Sequence, residues 1–312
     1  MASITLLLPE RSRLPGALPA AAARALGRAD REQGQAGSDA QLRRHFLLPE
    51  QWSAAALTRQ LDCGDAAGAL WLRADPAHVA PDINGARLLG WGEGLGVDQA
   101  DTDALLPTLR PLFGDAGLQL DAPHPARWYL RLPHGIRLPE FTAPEEAAGE
   151  DLFAVLPQGS SDEARRWRAL ITEVQVLLHH HPWNRERAAQ GRPAINALWF
   201  WGGGTVPEQV RGPYMNVRSR DPLLQALARA AGASIATPAD PGTGVVGDSL
   251  VDLRHLRTLE VFAVQALPPL LQSMARGEYD ALLLDFEDGT RFRLTRGQRW
   301  RWWRRPLAAL AE

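Results

Sequence analysis

Lysine is absent: all 34 basic residues of this 312-residue chain are arginines. The absence excludes a Schiff-base lysine and the lysine of a phosphate-binding loop. Cysteine is nearly absent too, with Cys63 alone, so no internal disulfide or multi-thiolate metal site can form, and a reducing, cytoplasmic setting is expected. Its neighbours Asp62 and Asp65 disfavour a thiolate, which argues against a cysteine nucleophile. No stretch approaches the ~20 apolar residues needed to cross a bilayer. The apolar run Ile4 to Leu8 ends at Pro9-Glu10, too short for a secretory signal, and reads as a first strand. An excess of one charge is lacking as well. Against 36 acids the formal net charge is −2, so no whole-molecule field draws the chain to nucleic acid or to an acidic membrane. Neither is expected as a partner except through a local patch.

What is present is a globular composition, 45% hydrophobic and 22% charged, long enough at ~100–200 residues per domain for two domains. Short apolar runs at 69–72 and 87–91, a helical pattern at 101–113 carrying Leu105, Leu106, Leu109 and Leu112, and further runs at 118–120 and 128–132 predict an α+β N-terminal lobe over 1–138. Residues 139–150, with Pro139, Pro144 and Gly149 among several glutamates, read as a linker. The second lobe, 151–312, opens on a strongly amphipathic helix with Trp167, Leu170, Ile171, Val174 and Leu178 on one face, capped from Ser160 and Glu163 and stopped by Pro182. A continuous apolar run at 194–201 then predicts a strand buried on both faces. Helices near 221–232 and 253–276 follow, and a hairpin over 279–286 and 290–295 turns at Asp288-Gly289. The expected fold class is therefore α/β: an α+β N-terminal lobe followed by an α/β sheet lobe with a C-terminal hairpin and an Arg/Trp tail.

Chemistry-bearing residues concentrate between Glu173 and Gly204. His179-His180-His181 stand about 100° apart on a helix and lack the i, i+4 spacing of a metal pair; as solvated histidines they would complement the helix dipole. Gly202, Gly203 and Gly204 lie where a buried strand ends, so their amides could approach a small anion, with Asn184, Arg187 and Asn196 as further ligand-binding candidates. The competing reading is a tight turn beside Trp199 and Trp201, with Asn184 acting as a helix cap. Asp75, His78 and Asp82 form a second cluster of metal-ligating types in a proline-stiffened segment, readable as a metal site or as a structural loop. Glycines 90, 92, 94 and 96 do not have the spacing of a dinucleotide fingerprint. Between Arg291 and Arg305 lie seven arginines and no acid, interleaved with Trp300, Trp302 and Trp303. Such a segment could stack on bases and grip phosphates, or dock its tryptophans on the sheet with its arginines outward.

The series Glu173-Val174-Gln175-Val176-Leu177-Leu178, His181-Pro182-Trp183-Asn184, Arg187, Gly191, Pro193 and Asn196-Ala197-Leu198-Trp199-Phe200-Trp201-Gly202-Gly203-Gly204 resembles the bacterial RpfE-type regulatory proteins, often labelled phosphoglycerate mutase. Ala74-Asp75-Pro76-Ala77-His78 and Arg127-Trp128-Tyr129-Leu130 resemble that family as well. More distantly, the segment 173–204 is similar to archaeal-type cofactor-independent phosphoglycerate mutases of the alkaline phosphatase superfamily. That resemblance implies a reduced version of their core, and in the mutases two divalent metals, manganese or zinc, with a phosphoryl-accepting serine. Here the first strand ends Leu8-Pro9-Glu10 without the family's aspartate-glycine, Ser12 is the nearest serine, and His255 is the one histidine from Pro182 to Glu312.

The resemblance with these departures implies a non-catalytic regulatory or ligand-binding protein whose two-metal site is lost, needing no cofactor and taking a small anionic ligand. Two alternatives stand beside it. One is a phosphoglycerate mutase-like isomerase or phosphatase with a rearranged manganese or zinc site built from Asp75, His78 and His181. The other is binding of nucleic acid or an acidic partner through the Arg/Trp tail.

Overall fold

A computed structural model describes residues 2–82, 85–237 and 247–311. In chain order its elements are β1 (Ser3–Leu8), α1 (Ala20–Arg28), β2 (Asp30–Gln33), α2 (Ser38–His45), α3 (Ala54–Cys63), β3 (Leu70–Asp82), β4 (Gly85–Trp91), α4 (Gln99–Asp115), β5 (Gln119–His124) and β6 (Arg127–Leu132). After them come α5 (Pro144–Ala147), α6 (Leu152–Val155), α7 (Asp162–His179), α8 (Trp183–Ala189), β7 (Ala197–Gly204), β8 (Asn216–Arg218), α9 (Pro222–Ala230), β9 (Ser234–Ala236) and β10 (Ser249–Asp252). A π-helical turn, Val261–Ala266, then leads into α10 (Leu267–Arg276), β11 (Ala281–Phe286), β12 (Thr290–Thr295) and a 3-10 turn, Arg296–Trp300. The fold is mixed α/β with two sheets, as the alternation of patterns predicts.

The division into compact units is not the linear one expected. Residues 1–49 and 209–312 form one unit, and 50–208 form the other. Residues 139–150 are not a linker: Phe141 stacks edge-on to Trp167 at 5.2 Å between ring centres, and the Thr142 carbonyl accepts from Trp199 Nε1. The proline and glutamate content of that stretch reflects an irregular surface path, while its aromatic residue belongs to a core.

The first unit is built on a seven-stranded sheet in the order β2-β12-β11-β1-β10-β8-β9. Its centre, β11-β1-β10-β8-β9, is parallel, and the β11/β12 hairpin and β2 add antiparallel strands at one edge. Asp288-Gly289 turns the hairpin as predicted. Gly289 has φ +86°, and a Cβ there would lie 2.3 Å from the Gly34 carbonyl oxygen, so both the conformation and the close approach require glycine. Alternation along the strands sends Ile4, Leu6, Leu8, Val251, Leu282, Leu284 and Phe286 into one core with α1 and α10. The opposite face carries Thr5, Leu7, Asp252 and Asp285.

The second unit holds a five-stranded antiparallel sheet, β4-β3-β6-β5 with β7 also on β3. Here β3 runs unbroken for 13 residues, through both Pro76 and Pro81. The register shows why two prolines are tolerated: β6 pairs with residues 70–73 and β4 only from Ala77, so Pro76 falls between them. Pro81 lies beyond the reach of β7, whose pairing stops at Ala77. A proline without an N–H does no harm where one side has no ladder partner. β7, predicted as a doubly buried strand, is antiparallel to β3 rather than part of a parallel sheet. Phe113, Trp128, Trp167 and Phe200 fill the core beneath it. Helix α7 spans 162–179 with Ser161, not Ser160, as its cap; Ser161 Oγ accepts from the Ala164 amide.

Candidate functional site

Within the second unit, Asn184, Arg187 and Asn196 gather at the start of β7 while Gly202–Gly204 form its other end, and all of them are engaged. Asn184 Oδ1 accepts from the Ile195 amide at 2.8 Å, and its Nδ2 donates to the carbonyls of Leu178 and Ile195. One side chain thereby ties the end of α7 to the chain entering β7. Asn196 does the same one residue on: Oδ1 accepts from the Val79 amide and Nδ2 donates to the Val79 carbonyl, imitating a backbone strand pair just before β7 begins. Arg187 is 0% exposed. Its Nε donates to the Pro193 carbonyl, one terminal nitrogen to the Leu95 carbonyl, and the other meets Asp101 Oδ2 at 2.5 Å.

Asp101 is itself the hub of this network. It closes the capping box of α4 with Asp98 and accepts from Trp183 Nε1 and Arg192. Burial works to raise its carboxyl, but hydrogen bonds from Arg187, the Asp98 amide and Trp183 outweigh it and hold the group below the ordinary carboxylate range. The glycine triplet is likewise occupied. A Cβ on Gly202 would stand 2.8 Å from Ala54 Cβ, one on Gly203 2.5 Å from Leu138 Cδ1, and one on Gly204 2.9 Å from Ser53 Cβ. Ser53 caps α3 and donates its Oγ to the Gly202 carbonyl. The small residues therefore seat the start of α3 on β7. Asn184, Arg187, Asn196 and Gly202–Gly204, expected as an anion cradle, are thus taken up by packing and chain connection.

The alternative metal set is not brought together either. Asp75, 1% exposed, binds Arg73 with both carboxylate oxygens and accepts from Trp201 Nε1 at 2.8 Å. Burial raises its carboxyl above the usual range despite the Arg73 charge. His78 Nδ1 pairs with the Ala194 carbonyl. His181 accepts from the Trp183 amide at Nδ1, which leaves the proton on Nε2 to donate to Thr108 Oγ1; burial lowers its pKa. His179 and His180 are exposed at the end of α7. Among the described residues no three His, Cys, Asp or Glu side chains converge on a point where they could hold a metal.

The first unit carries a polar cluster that the sequence reading passed over. In parallel α/β sheets ligands gather beyond the carboxyl ends of the strands. There Leu7 of β1 pairs with Asp252 on one side and Asp285 on the other, which places both carboxylates on one face. Arg44 grips Asp285 with two hydrogen bonds of 2.7 and 2.8 Å, and His45 Nε2 adds a third at 2.8 Å. His45 Nδ1 lies 2.6 Å from the Tyr214 hydroxyl, whose pKa burial pushes up to about 12. On the other side Arg254 holds both oxygens of Asp252, and Ser219 donates to it at 2.6 Å. Burial pulls upward on both carboxyls, yet their arginine partners hold them below the usual range. One signal pointed here: each aspartate ends an apolar run, Leu250-Val251 and Leu282-Leu283-Leu284.

The resemblance noted above implies two divalent metals, and these residues do not fit them. A guanidinium already neutralises Asp285 and Asp252, β1 ends without an aspartate, and His255 is exposed to solvent.

No family model matches the chain. Over 69 residues it is 35% identical to the 2,3-bisphosphoglycerate-independent phosphoglycerate mutase of Methanosarcina mazei, a stretch covering 22% of this chain and 17% of that protein. A probable enzyme of the same name from Geobacter sulfurreducens is 33% identical over 64 residues, 20% of this chain and 16% of its own. The chain thus matches about a sixth of the length of these curated relatives. Among solved structures, the cofactor-independent phosphoglycerate mutase of Thermoplasma acidophilum aligns over 94% of this chain and 89% of its own, at 15% identity and a TM-score of 0.43. The chain is distantly similar to cofactor-independent phosphoglycerate mutases.

Proposed function

We propose that the chain is a non-catalytic regulatory or ligand-binding protein of RpfE type, a cytoplasmic relative of the cofactor-independent phosphoglycerate mutases that no longer transfers phosphoryl groups. The observation that carries this reading is the pairing of Asp285 with Arg44 and of Asp252 with Arg254 at the carboxyl edge of the parallel strands. A two-metal mechanism needs free carboxylates and imidazoles there to polarise the phosphoryl group and to generate its nucleophile. Guanidinium partners neutralise these two carboxylates, which supports a reading without a cation on them. No helix among the described residues is long and apolar enough to cross a membrane.

The test is turnover of 3-phosphoglycerate by the purified full chain, with manganese or zinc added, read by coupled detection of 2-phosphoglycerate. No rate above a protein-free blank is expected with either metal. A metal-dependent rate that is lost when Arg44 and Arg254 are left intact but Asp285 is changed to Asn would sink the proposal, because it would place a working metal at the edge that the arginines occupy.

A further inference from the structure

The segment 291–305 does not dock its tryptophans on the sheet. Trp300, Trp302 and Trp303 are 68%, 78% and 65% exposed, although tryptophan is among the residues most often sheltered from water. They are held outward by a fixed frame. A capping box between Thr295 and Gln298 shapes the 3-10 turn, and the buried Gln298 donates to Asp30 and to the Arg293 carbonyl. Arg301 turns inward to Asp30 at 2.5 Å. Farther along, the Leu307 amide donates to the Ala23 carbonyl, and the chain crosses α1 at Gly27, where a Cβ would fall 2.2 Å from the Arg305 carbonyl oxygen. Arg301 thus turns toward Asp30 while the three indoles face water, the reverse of what hydration alone would arrange for these side chains.

Charge sharpens the picture. Three of the seven arginines, Arg291, Arg296 and Arg301, pair with Glu32, Asp280 and Asp30. Among the described residues, Arg293, Arg299, Arg304 and Arg305 form no ion pair. The Arg299 guanidinium lies 5.1 Å from the Trp300 ring centre, on one face of it. Trp302 and Trp303 meet at 82°, with 6.1 Å between ring centres, so their faces look in different directions. Separate flat faces among unpaired guanidinium groups match a flexible polyanion that carries flat rings. A bilayer interface is instead met by one continuous apolar face along an amphipathic helix, and residues 301–305 are not helical.

The geometry points to a single-stranded nucleic acid as the partner of this surface: bases stack on Trp300, Trp302 and Trp303, and phosphates pair with Arg293, Arg299, Arg304 and Arg305. The recognition is of backbone charge and π faces, so it is tolerant of sequence.

The experiment is fluorescence anisotropy of a labelled oligothymidylate of about 15 nucleotides, titrated with the full chain. Neutralising three to four phosphates should weaken binding by about 20- to 50-fold between 50 and 200 mM salt, on a slope of roughly −0.7 per phosphate. The Trp302→Ala/Trp303→Ala variant should lose about tenfold or more, with an unchanged unfolding midpoint because both rings are outside the core. The Arg299→Ala/Arg305→Ala variant should lose affinity and flatten the salt slope. Absence of binding at 50 mM salt overturns the inference, as does equal affinity in the tryptophan variant. So does equal competition by inorganic polyphosphate, which has charge but no rings. Binding to vesicles of phosphatidylcholine and phosphatidylserine without binding to the oligonucleotide would assign the surface to a membrane and overturn it too.

Discussion

Arg187 and Asp101 meet at 2.5 Å with neither side chain exposed to solvent, joining α8 to the first turn of α4. The guanidinium also donates to two carbonyls, and the carboxylate accepts from three further donors, Trp183 Nε1, Arg192 and the Asp98 amide, so the pair is satisfied on both sides. Such a pair adds little over an apolar substitute, but removing one partner is expensive because the other stays buried and charged.

Arg187→Met should therefore destabilise the second unit by about 2–4 kcal/mol, at the low end of the range for broken buried pairs because Arg192 and Trp183 still reach Asp101. Urea denaturation followed by tryptophan fluorescence measures this. A stable variant with altered affinity for phosphate or 3-phosphoglycerate would instead revive the anion-binding reading of Arg187.

Gly202→Ala carries two penalties. Its φ is +66°, and the added methyl would sit 2.8 Å from Ala54 Cβ. A left-handed backbone for alanine costs on the order of 1 kcal/mol, and overpacking a tight contact about 1–3 more. Gly203→Ala has ordinary backbone geometry but a 2.5 Å approach to Leu138 Cδ1, the end of a side chain able to shift. The expected order of melting temperatures is wild type, then Gly203→Ala, then Gly202→Ala, by differential scanning calorimetry. The same melting temperature for all three would mean that α3 is not seated on this strand.

Asp252 and Asp285 predict the acid limb of the first unit's stability. Both carboxyls are held below the ordinary range in the folded chain by Arg254 and by Arg44 with His45, against the pull of burial. A lowered folded pKa contributes stability that is present above the unfolded value, near ~3.9, and is lost as pH falls through the folded value. Denaturation midpoints should thus fall as pH drops below about 4. Asp285→Asn should lower the midpoint at pH 7 and make the acid limb shallower. An acid limb as steep in that variant as in wild type would show that Asp285 is not among the groups that drive it.

How far the sequence announces this architecture can be judged from particular residues. The amphipathic spacing of Trp167, Leu170, Ile171 and Val174 and the Asp288-Gly289 turn report local preferences, and both appear where expected. The strand through Pro76 and Pro81 was hidden because it depends on where partner strands begin and end, which no local pattern shows. The two-unit division was hidden for a similar reason: residues 209–312 return to the sheet that β1 starts, and sequence proximity does not record that return. In the 173–204 segment the polar residues were legible as a cluster but not by role. Asn184, Arg187 and Asn196 find partners on Ile195, Asp101 and Val79, and a lone sequence cannot distinguish a side chain that waits for a ligand from one that holds a loop. Asp285 and Asp252 are adjacent to the same leucine only through long-range parallel pairing.

Gly27 offers a test of the outward-facing tryptophan frame in which two physical effects have opposite signs. Position 27 lies inside α1, where alanine in place of glycine normally stabilises a helix by about 1 kcal/mol. Here the added methyl would fall 2.2 Å from the Arg305 carbonyl oxygen and 2.9 Å from the Leu307 nitrogen, both backbone atoms that cannot rotate away. If the crossing segment is fixed, Gly27→Ala must lift it off α1, breaking the Leu307-to-Ala23 hydrogen bond and exposing Leu307. The variant should then unfold at a lower temperature than wild type, and trypsin should cut it faster after Arg299, Arg301 and Arg304. A variant more stable than wild type, with unchanged cleavage, would show that helix propensity wins and that residues 300–305 do not rest on α1. Trp302 and Trp303 would then have no fixed frame to hold them outward.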